Sequence, residues 1–290
     1  MRFMIMGCHK TFFLFFFICF LCFSTAEAQT FYLEHACSTD GNFTANSAYQ
    51  SDLTTLFSSL TSNAVTNAEF YNTTVAKGGD TVYGLFMCRG DVTLQLCHEC
   101  VVDASQRIRS ECRFSKEAII WYHQCLLRNS NYSFFSTVDT SIRNGYYNTA
   151  NMTNQERFMR LLFDVMNKTA AEAAKPAVGK KKYETTRVNN ISGSQTLYCV
   201  AQCTPDLSPQ DCRKCLSVAI GNLTWCCQGS EGGRILFPSC IIRYELYPFY
   251  RSLDQQVVPA PAPAPAALPP TASSSYPQGK GHALHLQLKG

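Results

Sequence analysis

Two Cys-x-x-Cys motifs are the residues of this chain whose types and spacing could support chemistry. They lie at positions 97–100 (CHEC) and 212–215 (CRKC). A redox dithiol places such a motif at the start of a helix that follows a strand. A zinc site needs two such pairs, or cysteines and histidines at four-ligand spacing. The third interpretation, a framework of structural disulfides, also accounts for the other cysteines, and an oxidising compartment favours it.

The cysteine spacing occurs twice, at a constant offset of 115 residues. The two copies are Cys88, Cys97, Cys100, Cys112 and Cys125, and Cys203, Cys212, Cys215, Cys227 and Cys240. Four other pairs keep the same offset: Tyr83 and Tyr198, Arg128 and Arg243, Tyr132 and Tyr247, and Phe134 and Phe249. A repeat of this kind predicts two homologous modules in tandem.

The sequence of residues 1–28 indicates a secretory signal peptide. The stretch 11–23 is almost unbroken apolar sequence, and Ala26-Glu27-Ala28 predicts cleavage before Gln29. The alternative, a membrane anchor, needs roughly 20 apolar residues. Three of the 16 cysteines would leave with the signal, namely Cys8, Cys19 and Cys22. The many that remain predict an oxidising, extracellular location.

Sequons and charge fit a secreted protein. Seven Asn-x-Ser/Thr sequons, which are candidate glycosylation sites, stand at Asn42, Asn72, Asn131, Asn151, Asn167, Asn190 and Asn222. The net charge is only +4, and the one basic cluster, residues 180–182, is expected to be a solvated loop. Nucleic acid and membrane surfaces are therefore not expected partners.

Hydrophobic periodicity predicts the same plan in each module. In residues 29–139 we expect an amphipathic helix over 47–64, strands over 81–88, 119–127 and 132–138, and a second helix capped by Thr93. Residues 141–253 repeat the plan, with strands over 197–202, 234–246 and 248–250 and a helix capped by Ser208. Residues 254–290 read as a Pro/Ala-rich linker and a disordered tail, without a membrane span.

The cysteine spacing and the residues around it resemble a plant extracellular family. The pattern Cys-x8-Cys-x2-Cys, then x11-Cys and x12-Cys, is that of the ginkbilobin-2-homologous domain, also called domain of unknown function 26. The stretch 202–208 (QCTPDLS) matches its signature, and so do residues 232–234 with 238–240 and residues 243–245 with 247–249. Tandem copies behind a signal peptide are similar to cysteine-rich repeat secretory proteins and to the ectodomains of cysteine-rich receptor-like kinases and plasmodesmata-located proteins.

The resemblance implies an α+β fold, in which each module is an antiparallel sheet with two helices on one face. It also implies disulfides, which map here as Cys88–Cys97, Cys100–Cys125, Cys37–Cys112, Cys203–Cys212 and Cys215–Cys240. The second module has no counterpart of Cys37. It has Cys199 and the adjacent Cys226 and Cys227 instead. We expect Cys199 to bridge Cys227 or Cys226, and the remaining cysteine to be free or paired between chains.

Mannose binding is a further expectation from the resemblance. The family's sugar site uses an Asn, an Arg and a Glu. In the first module the corresponding positions are Ser38, Ile119 and Ser130, so we expect no binding there. In the second module Arg234 and Glu245 match, and the Asn position falls near Tyr147, one residue from Asn148. A guanidinium and a carboxylate could bind sugar hydroxyls from two sides, but an ion pair between Arg234 and Glu245 is the competing interpretation.

The sequence shows no catalytic constellation, and we expect neither an enzyme nor a metal or other cofactor. There is no glycine-rich phosphate loop and no kinase catalytic-loop motif. Two function classes remain. The first is a secreted binding protein of the apoplast, mannose-type glycan-binding and antimicrobial. The second is a receptor-type ectodomain that binds a cell-surface protein partner in signalling.

Overall fold

The computed structural model describes residues 29–39, 41–65, 69–78, 80–141 and 144–251. The expected signal peptide and the Pro/Ala-rich segment, residues 1–28 and 254–290, lie outside the described residues. The described part contains ten strands and five helices in an α+β fold with two antiparallel sheets, as predicted. None of its helices is long and apolar enough to span a lipid bilayer.

The first module is a five-stranded antiparallel sheet with two helices. Its elements are β1 (Tyr32–Cys37), α1 (Ala48–Val65), β2 (Phe70–Val75), β3 (Val82–Cys88), α2 (Leu94–Glu111), β4 (Ala118–Tyr122) and β5 (Cys125–Ser130). The strand order is β1-β4-β5-β3-β2. Helix α1 buries Leu53, Leu56 and Leu60, which lie on one face at helical spacing. The Thr93 side chain caps α2 by accepting from the Leu96 amide at 3.2 Å.

The second module repeats this plan. Its elements are β6 (Asn144–Tyr147), α3 (Gln155–Ala173), β7 (Lys182–Val188), β8 (Leu197–Cys203), α4 (Pro209–Gly221), α5 (Leu223–Cys227), β9 (Gly233–Leu236) and β10 (Cys240–Glu245). The strand order β6-β9-β10-β8-β7 corresponds to that of the first sheet. The elements β3 and β8, α2 and α4, β4 and β9, and β5 and β10 each begin 115 residues apart. The repeat seen in the cysteines is therefore a repeat of the whole core.

Some predicted elements were wrong. The stretch 119–127, predicted as one strand, is the hairpin of β4 and β5, with a bend at His123 and Gln124. That bend carries no Gly or Pro that would have marked it. Residues 132–138 and 248–250, predicted as strands, belong to no strand.

The lysine cluster is only partly a solvated loop. Lys180 and Lys181 are exposed and lie outside any strand, but Lys182 begins the edge strand β7 and is fully buried, and its ammonium donates to the carbonyls of Pro176 and Ala177. Lys181 contacts the first module, where its Nζ lies 2.7 Å from a Glu69 carboxylate oxygen. Strands β2 and β7 were not predicted at all. Both are mostly half-exposed edge strands, so their polar residues hide the apolar pattern.

Five disulfides join the helices and the β1 edge to the sheets, with the pairings that the family resemblance implied. They are Cys37–Cys112, Cys88–Cys97, Cys100–Cys125, Cys203–Cys212 and Cys215–Cys240. Within each Cys-x-x-Cys motif the two cysteines bond to different strands. These cysteines are therefore structural, and neither a redox dithiol nor a four-cysteine zinc site is formed.

The expected bridge from Cys199 to Cys227 or Cys226 is wrong. The structure joins Cys226 to Cys227, and Cys199 is a buried free thiol. Cys199 lies on β8 opposite Tyr244 of β10, whereas Cys227 packs at Gly233 of β9, on the other side of β10. Strands separated by a third strand lie roughly 9–10 Å apart, beyond the reach of a disulfide. The Tyr244 hydroxyl donates at 3.1 Å to the Cys227 carbonyl, consistent with a side chain that separates the two cysteines.

The two modules pack against each other through the sheet faces that carry no helices. Along β3 and β4 the side chains alternate, so that Phe86 and Ile120 face the helices while Leu85, Ile119 and Trp121 face the second module. This second layer forms one apolar cluster with residues of β9, β10 and β6, namely Leu236, Ile241 and Tyr146. Both faces of the first sheet are buried as a result.

Candidate functional site

The three expected sugar-binding residues of the second module lie around Gly232. The Gly232 carbonyl accepts from the Asn148 amide at 2.8 Å. A Cβ built on Gly232 would lie 2.0 Å from Glu245 Oε2. Asn148 is exposed and Arg234 is partly buried, but Glu245 is only 6% exposed. The structure therefore brings the three positions to one end of the sheet, with the carboxylate turned inward.

Glu245 forms its ion pair with Arg243, two residues before it on β10. The Arg243 Nη2 lies 2.8 Å from Glu245 Oε1, and the two side chains are 11% and 8% exposed. The guanidinium also donates to the Tyr247 hydroxyl at 3.1 Å and lies 4.1 Å from the centre of the Phe249 ring. The competing interpretation of the sequence was an ion pair between Arg234 and Glu245. Glu245 does form an ion pair, but its partner is Arg243 and not Arg234.

Arg234 contacts the first module. Its Nη1 lies 3.2 Å from His123 Nε2, and Arg243 Nη1 lies 3.4 Å from the other ring nitrogen. Burial, followed by the charges of Arg234, Arg243 and Arg89, lowers the pKa of His123 to about 3, so the ring is neutral at physiological pH. Burial and then Arg243 lower the pKa of Arg234 to about 10. A neutral imidazole between guanidiniums is thus part of the contact between the modules.

The first module has the same arginine arrangement at the same repeat position. Arg128, the counterpart of Arg243, lies 4.3 Å from the centre of the Phe134 ring. It forms ion pairs at 2.9 Å with Glu117 and at 2.7 Å with Asp139. The hydroxyl of Tyr132 donates to Glu117 at 2.6 Å. The repeated Arg, Tyr and Phe seen in the sequence are therefore a structural cation–π and ion-pair unit in each module.

The carboxylate of this unit comes from a different strand in each module. In the first module it is Glu117, just before β4, and Ser130 ends β5. In the second module the position corresponding to Glu117 is Gly232, and Glu245 stands in place of Ser130. Gly232 leaves the room that the Glu245 carboxylate fills. Glu245 therefore does in the second module what Glu117 does in the first.

The module contact includes three polar residues that the sequence did not indicate, namely Gln202, Arg89 and Asp91. The Gln202 side chain donates to the Cys88 carbonyl at 2.8 Å and accepts from the Gly90 amide at 3.3 Å. Asp91 accepts from Arg89 at 2.8 Å and from the Arg251 amide at 2.9 Å. Burial alone would raise the pKa of Asp91, but the Arg89 hydrogen bond and charge outweigh it and lower that pKa. Like His123, these residues make contacts far apart in sequence, and no local pattern marks them.

One group of side chains has metal-like geometry, namely His35, Cys37 and Cys112, whose ligand atoms lie within 4.8 Å of one another. Cys37 and Cys112 are joined in a disulfide, however, so neither can supply the thiolate that a metal would need. Within the described residues this group offers no metal site.

All seven sequon asparagines lie where the side chain reaches solvent to some degree. Asn72 and Asn222 are partly buried, on β2 and at the junction of α4 and α5. The exposed ones are Asn42, Asn131, Asn151, Asn167 and Asn190.

The chain belongs to the salt stress response/antifungal family, which it matches over residues 36–132 and 144–247. This confirms the family resemblance, and both repeats are covered. Among solved structures, the tandem DUF26 ectodomains of the Arabidopsis thaliana cysteine-rich receptor-like proteins PDLP8 and PDLP5 share the fold. The TM-scores are 0.66 and 0.62, at 25% and 28% identity, and the matches cover 76% and 75% of this chain and all of each ectodomain.

Relatives of two kinds are similar in sequence. Cysteine-rich receptor-like protein kinase 25 of Arabidopsis thaliana is 38% identical over 276 residues, which are 91% of this chain and 39% of the kinase. The antimicrobial ginkbilobin-2-like protein of Castanea crenata is 38% identical over 217 residues, 75% of this chain and 88% of that protein. The chain thus spans about two fifths of the length of the kinase. Its two repeats share the tandem DUF26 fold with the ectodomains of the receptor-like proteins PDLP8 and PDLP5.

Proposed function

We propose that this chain is an extracellular, non-catalytic recognition ectodomain that binds a protein partner in defence signalling. The observation that carries the proposal is that Arg234 and Glu245, the two residues expected to bind sugar, already have protein partners. Glu245 is buried in its ion pair with Arg243, and Arg234 contacts His123 of the first module. Sugar hydroxyls would have to displace both contacts, and an unpaired buried polar group costs roughly 1–3 kcal/mol. The receptor-type class therefore fits better than the mannose-binding class.

A surface for such a partner lies at the edge of the second sheet. Tyr147 of β6 is 60% exposed, and Trp225 of α5 is 63% exposed. The Trp225 ring packs over Gly145, where a Cβ would meet it at 3.1 Å, so the two aromatic side chains lie along one edge. Large exposed aromatic side chains are enriched at protein interfaces and supply much of their binding energy.

Calorimetry separates the two classes. We expect the purified, disulfide-bonded protein to give no binding heat with mannose, and both Arg234→Ala and Glu245→Ala to melt at lower temperature. Mannose binding that both substitutions remove without lowering the melting temperature would establish the lectin class instead. If Ile119→Ala abolished the binding, the site would lie in the first module.

The partner surface is tested with a matched pair of variants. Labelled protein is applied to plant cells, and saturable binding to the cell surface is measured before and after protease treatment of the cells. Trp225→Ala should weaken protease-sensitive binding at least tenfold. Val178→Ala, which changes a 58% exposed residue outside this edge, should not. Binding that survives protease treatment of the cells would contradict the proposal. So would an equal effect of Trp225→Ala and Val178→Ala on the affinity.

A second candidate function is antimicrobial activity, which the Castanea crenata relative favours because the match covers 88% of its length. The test is inhibition of fungal growth by the purified protein, with disulfide-reduced protein as the control. Both candidates place the protein outside the cell, with cleavage before Gln29 and glycans on exposed sequons. N-terminal sequencing and glycopeptide mapping of protein from the medium test these points, and a start at Met1 would refute the signal peptide.

A further inference from the structure

A cavity of about 330 Å³ opens in the first module, between α1, the end of α2 and the segments before α1 and after α2. This is at the lower end of the size range of small-molecule pockets. Its apolar lining includes Leu53 and Phe57 of α1, Ile108 of α2 and Ala118 of β4. It is separate from the module contact and from the sugar positions.

Two aromatic side chains form one wall of this cavity. Phe43 and Phe114 pack edge to face with ring centres 5.8 Å apart, and the Phe43 amide donates to the Phe114 carbonyl at 2.9 Å. Phe114 has φ 72°, in the left-handed region that a residue with a side chain rarely adopts. Its counterpart in the second module is Gly229, at φ 76°. The first module therefore places a strained phenylalanine where its repeat uses a glycine, and the ring it gains is a wall of the cavity.

Two guanidiniums stand at the cavity and have no acidic partner among the described residues. Arg109 lies 5.0 Å from the centre of the Phe57 ring, and Arg113 lies 5.9 Å from that of Phe114. No carboxylate belongs to the described lining. Both arginine side chains are exposed overall, and partial burial lowers the pKa of Arg109 from its ordinary value.

The second module lacks these features. The counterparts of Arg109 and Arg113 are Thr224 and Gln228, and the counterpart of Phe114 is Gly229. Both charges and the aromatic ring have thus been placed at one of two otherwise similar positions. Structural needs common to both modules do not explain them.

We propose that this cavity binds a small aromatic carboxylic acid. The ring would enter between Phe43, Phe57 and Ile108, where aromatic side chains favour aromatic ligands. The carboxylate would remain at the mouth and accept charge-assisted hydrogen bonds from Arg109 and Arg113. The inference is independent of the proposed partner at Trp225, because that surface belongs to the second module.

The probe is 2-naphthoate, titrated by calorimetry into the mature, disulfide-bonded protein. The neutral 2-naphthamide has the same rings and serves as the matched ligand. We expect 2-naphthoate to bind at one site and 2-naphthamide to bind at least tenfold more weakly. Added salt should weaken only the acid. Equal binding of the two ligands, or no binding of either at millimolar concentration, would overturn the proposal.

Four variants locate the site. Arg109→Gln and Arg113→Gln should each weaken 2-naphthoate binding roughly tenfold, since each removes a charge-assisted hydrogen bond. Arg109→Lys should retain part of the affinity. Phe114→Gly should weaken both ligands while leaving the melting temperature unchanged or higher, because glycine relieves the left-handed strain.

The control is Arg213→Gln, which removes an exposed charge from α4 of the second module. It should leave binding unchanged. Affinity that falls as much in Arg213→Gln as in Arg109→Gln would show only a general charge effect and would refute the site. Thermal melts of every variant verify that each is folded.

Discussion

The two modules pair the arginine at an equivalent buried position with carboxylates from different parts of the chain. Arg128 of the first module pairs with Glu117 and with Asp139, whereas Arg243 of the second pairs with Glu245 on its own strand. The positions are complementary, because Gly232 replaces Glu117 and Glu245 replaces Ser130. A glutamate at a position that the resemblance assigned to sugar binding can therefore be explained by the fold alone. Comparing the repeats within one chain shows which residue types the shared fold requires and which are particular to one module.

The modules also differ in how they are cross-linked. Cys112 bonds to Cys37 across 75 residues of sequence, and this bridge fastens the edge strand β1 of the first sheet. Its counterpart Cys227 bonds to its neighbour Cys226, so it closes no loop of comparable length. The edge strand β6 of the second sheet is instead held by Tyr146, which donates to Glu34 of the first module at 3.0 Å.

Removing the Cys37–Cys112 bridge should have the largest effect on stability. We expect Cys37→Ala with Cys112→Ala to lower the free energy of unfolding by about 4.5 kcal/mol, from the loop-closure entropy of 75 residues. Cys226→Ala with Cys227→Ala should cost far less, because that bridge joins adjacent residues. Urea unfolding followed by tryptophan fluorescence measures both. Equal losses would show that the two bridges play the same role.

The exchange of carboxylates predicts a rescue. Glu245→Ser should lower the unfolding free energy by about 3 kcal/mol, because it leaves the charge of Arg243, 11% exposed, without its partner. Adding Gly232→Glu supplies a carboxylate at the position that corresponds to Glu117 and should recover most of that loss. Urea unfolding of the single and double variants is the measurement. A double variant no more stable than Glu245→Ser would mean that the two positions are not equivalent.

The parts that the sequence predicted depend on local pattern or on the repeat. Helix α1 followed from apolar residues at helical spacing, and the start of α2 from the capping residue Thr93. The sites that it missed depend on contacts between distant segments. The contacts of His123 with Arg234 and Arg243 have no local signal, because they follow from how the modules pack. The pairing of Arg243 with Glu245 did have one, since residues two apart on a strand share a face, but the family positions directed attention to Arg234 instead.

A side chain at Gly232 should lower the stability of the protein. The loss should be smaller than the loss expected when the ion pair is removed. Gly232→Ala places a Cβ 2.0 Å from Glu245 Oε2, and the forced shift should cost about 2 kcal/mol. In the Glu245→Ser background the same substitution should cost much less. Gly221→Ala is the control, because no atom lies within 4 Å of its added Cβ, and it should be neutral or slightly stabilising. Thermal melts measure these differences, and a Gly232→Ala protein as stable as wild type would contradict the close packing of Gly232 against Glu245.

The smallest expected effect concerns His123, which has no ionisable counterpart because Pro238 occupies the equivalent position. The pKa of His123 is about 3 in the folded protein, whereas an unfolded chain has about 6.5. The unfolded state therefore takes up a proton as the pH falls below about 6.5, and the folded state does not until about 3. Stability from the neutral ring is complete above pH 6.5 and is lost as the pH falls toward 3.

The slope from this one group is at most about 1.4 kcal/mol per pH unit, and the partial exposure of the ring reduces it. We expect His123→Gln, which cannot be protonated, to lose this dependence. The quantity to measure is the difference in unfolding free energy between wild type and His123→Gln, from urea titrations at pH 7.5, 6.0 and 5.0. As the pH falls, the unfolding free energy of wild type should decrease relative to that of His123→Gln. If the difference were the same at all three pH values, the ring would not be held neutral by Arg234 and Arg243, and the module contact would have to accommodate an imidazolium among arginines.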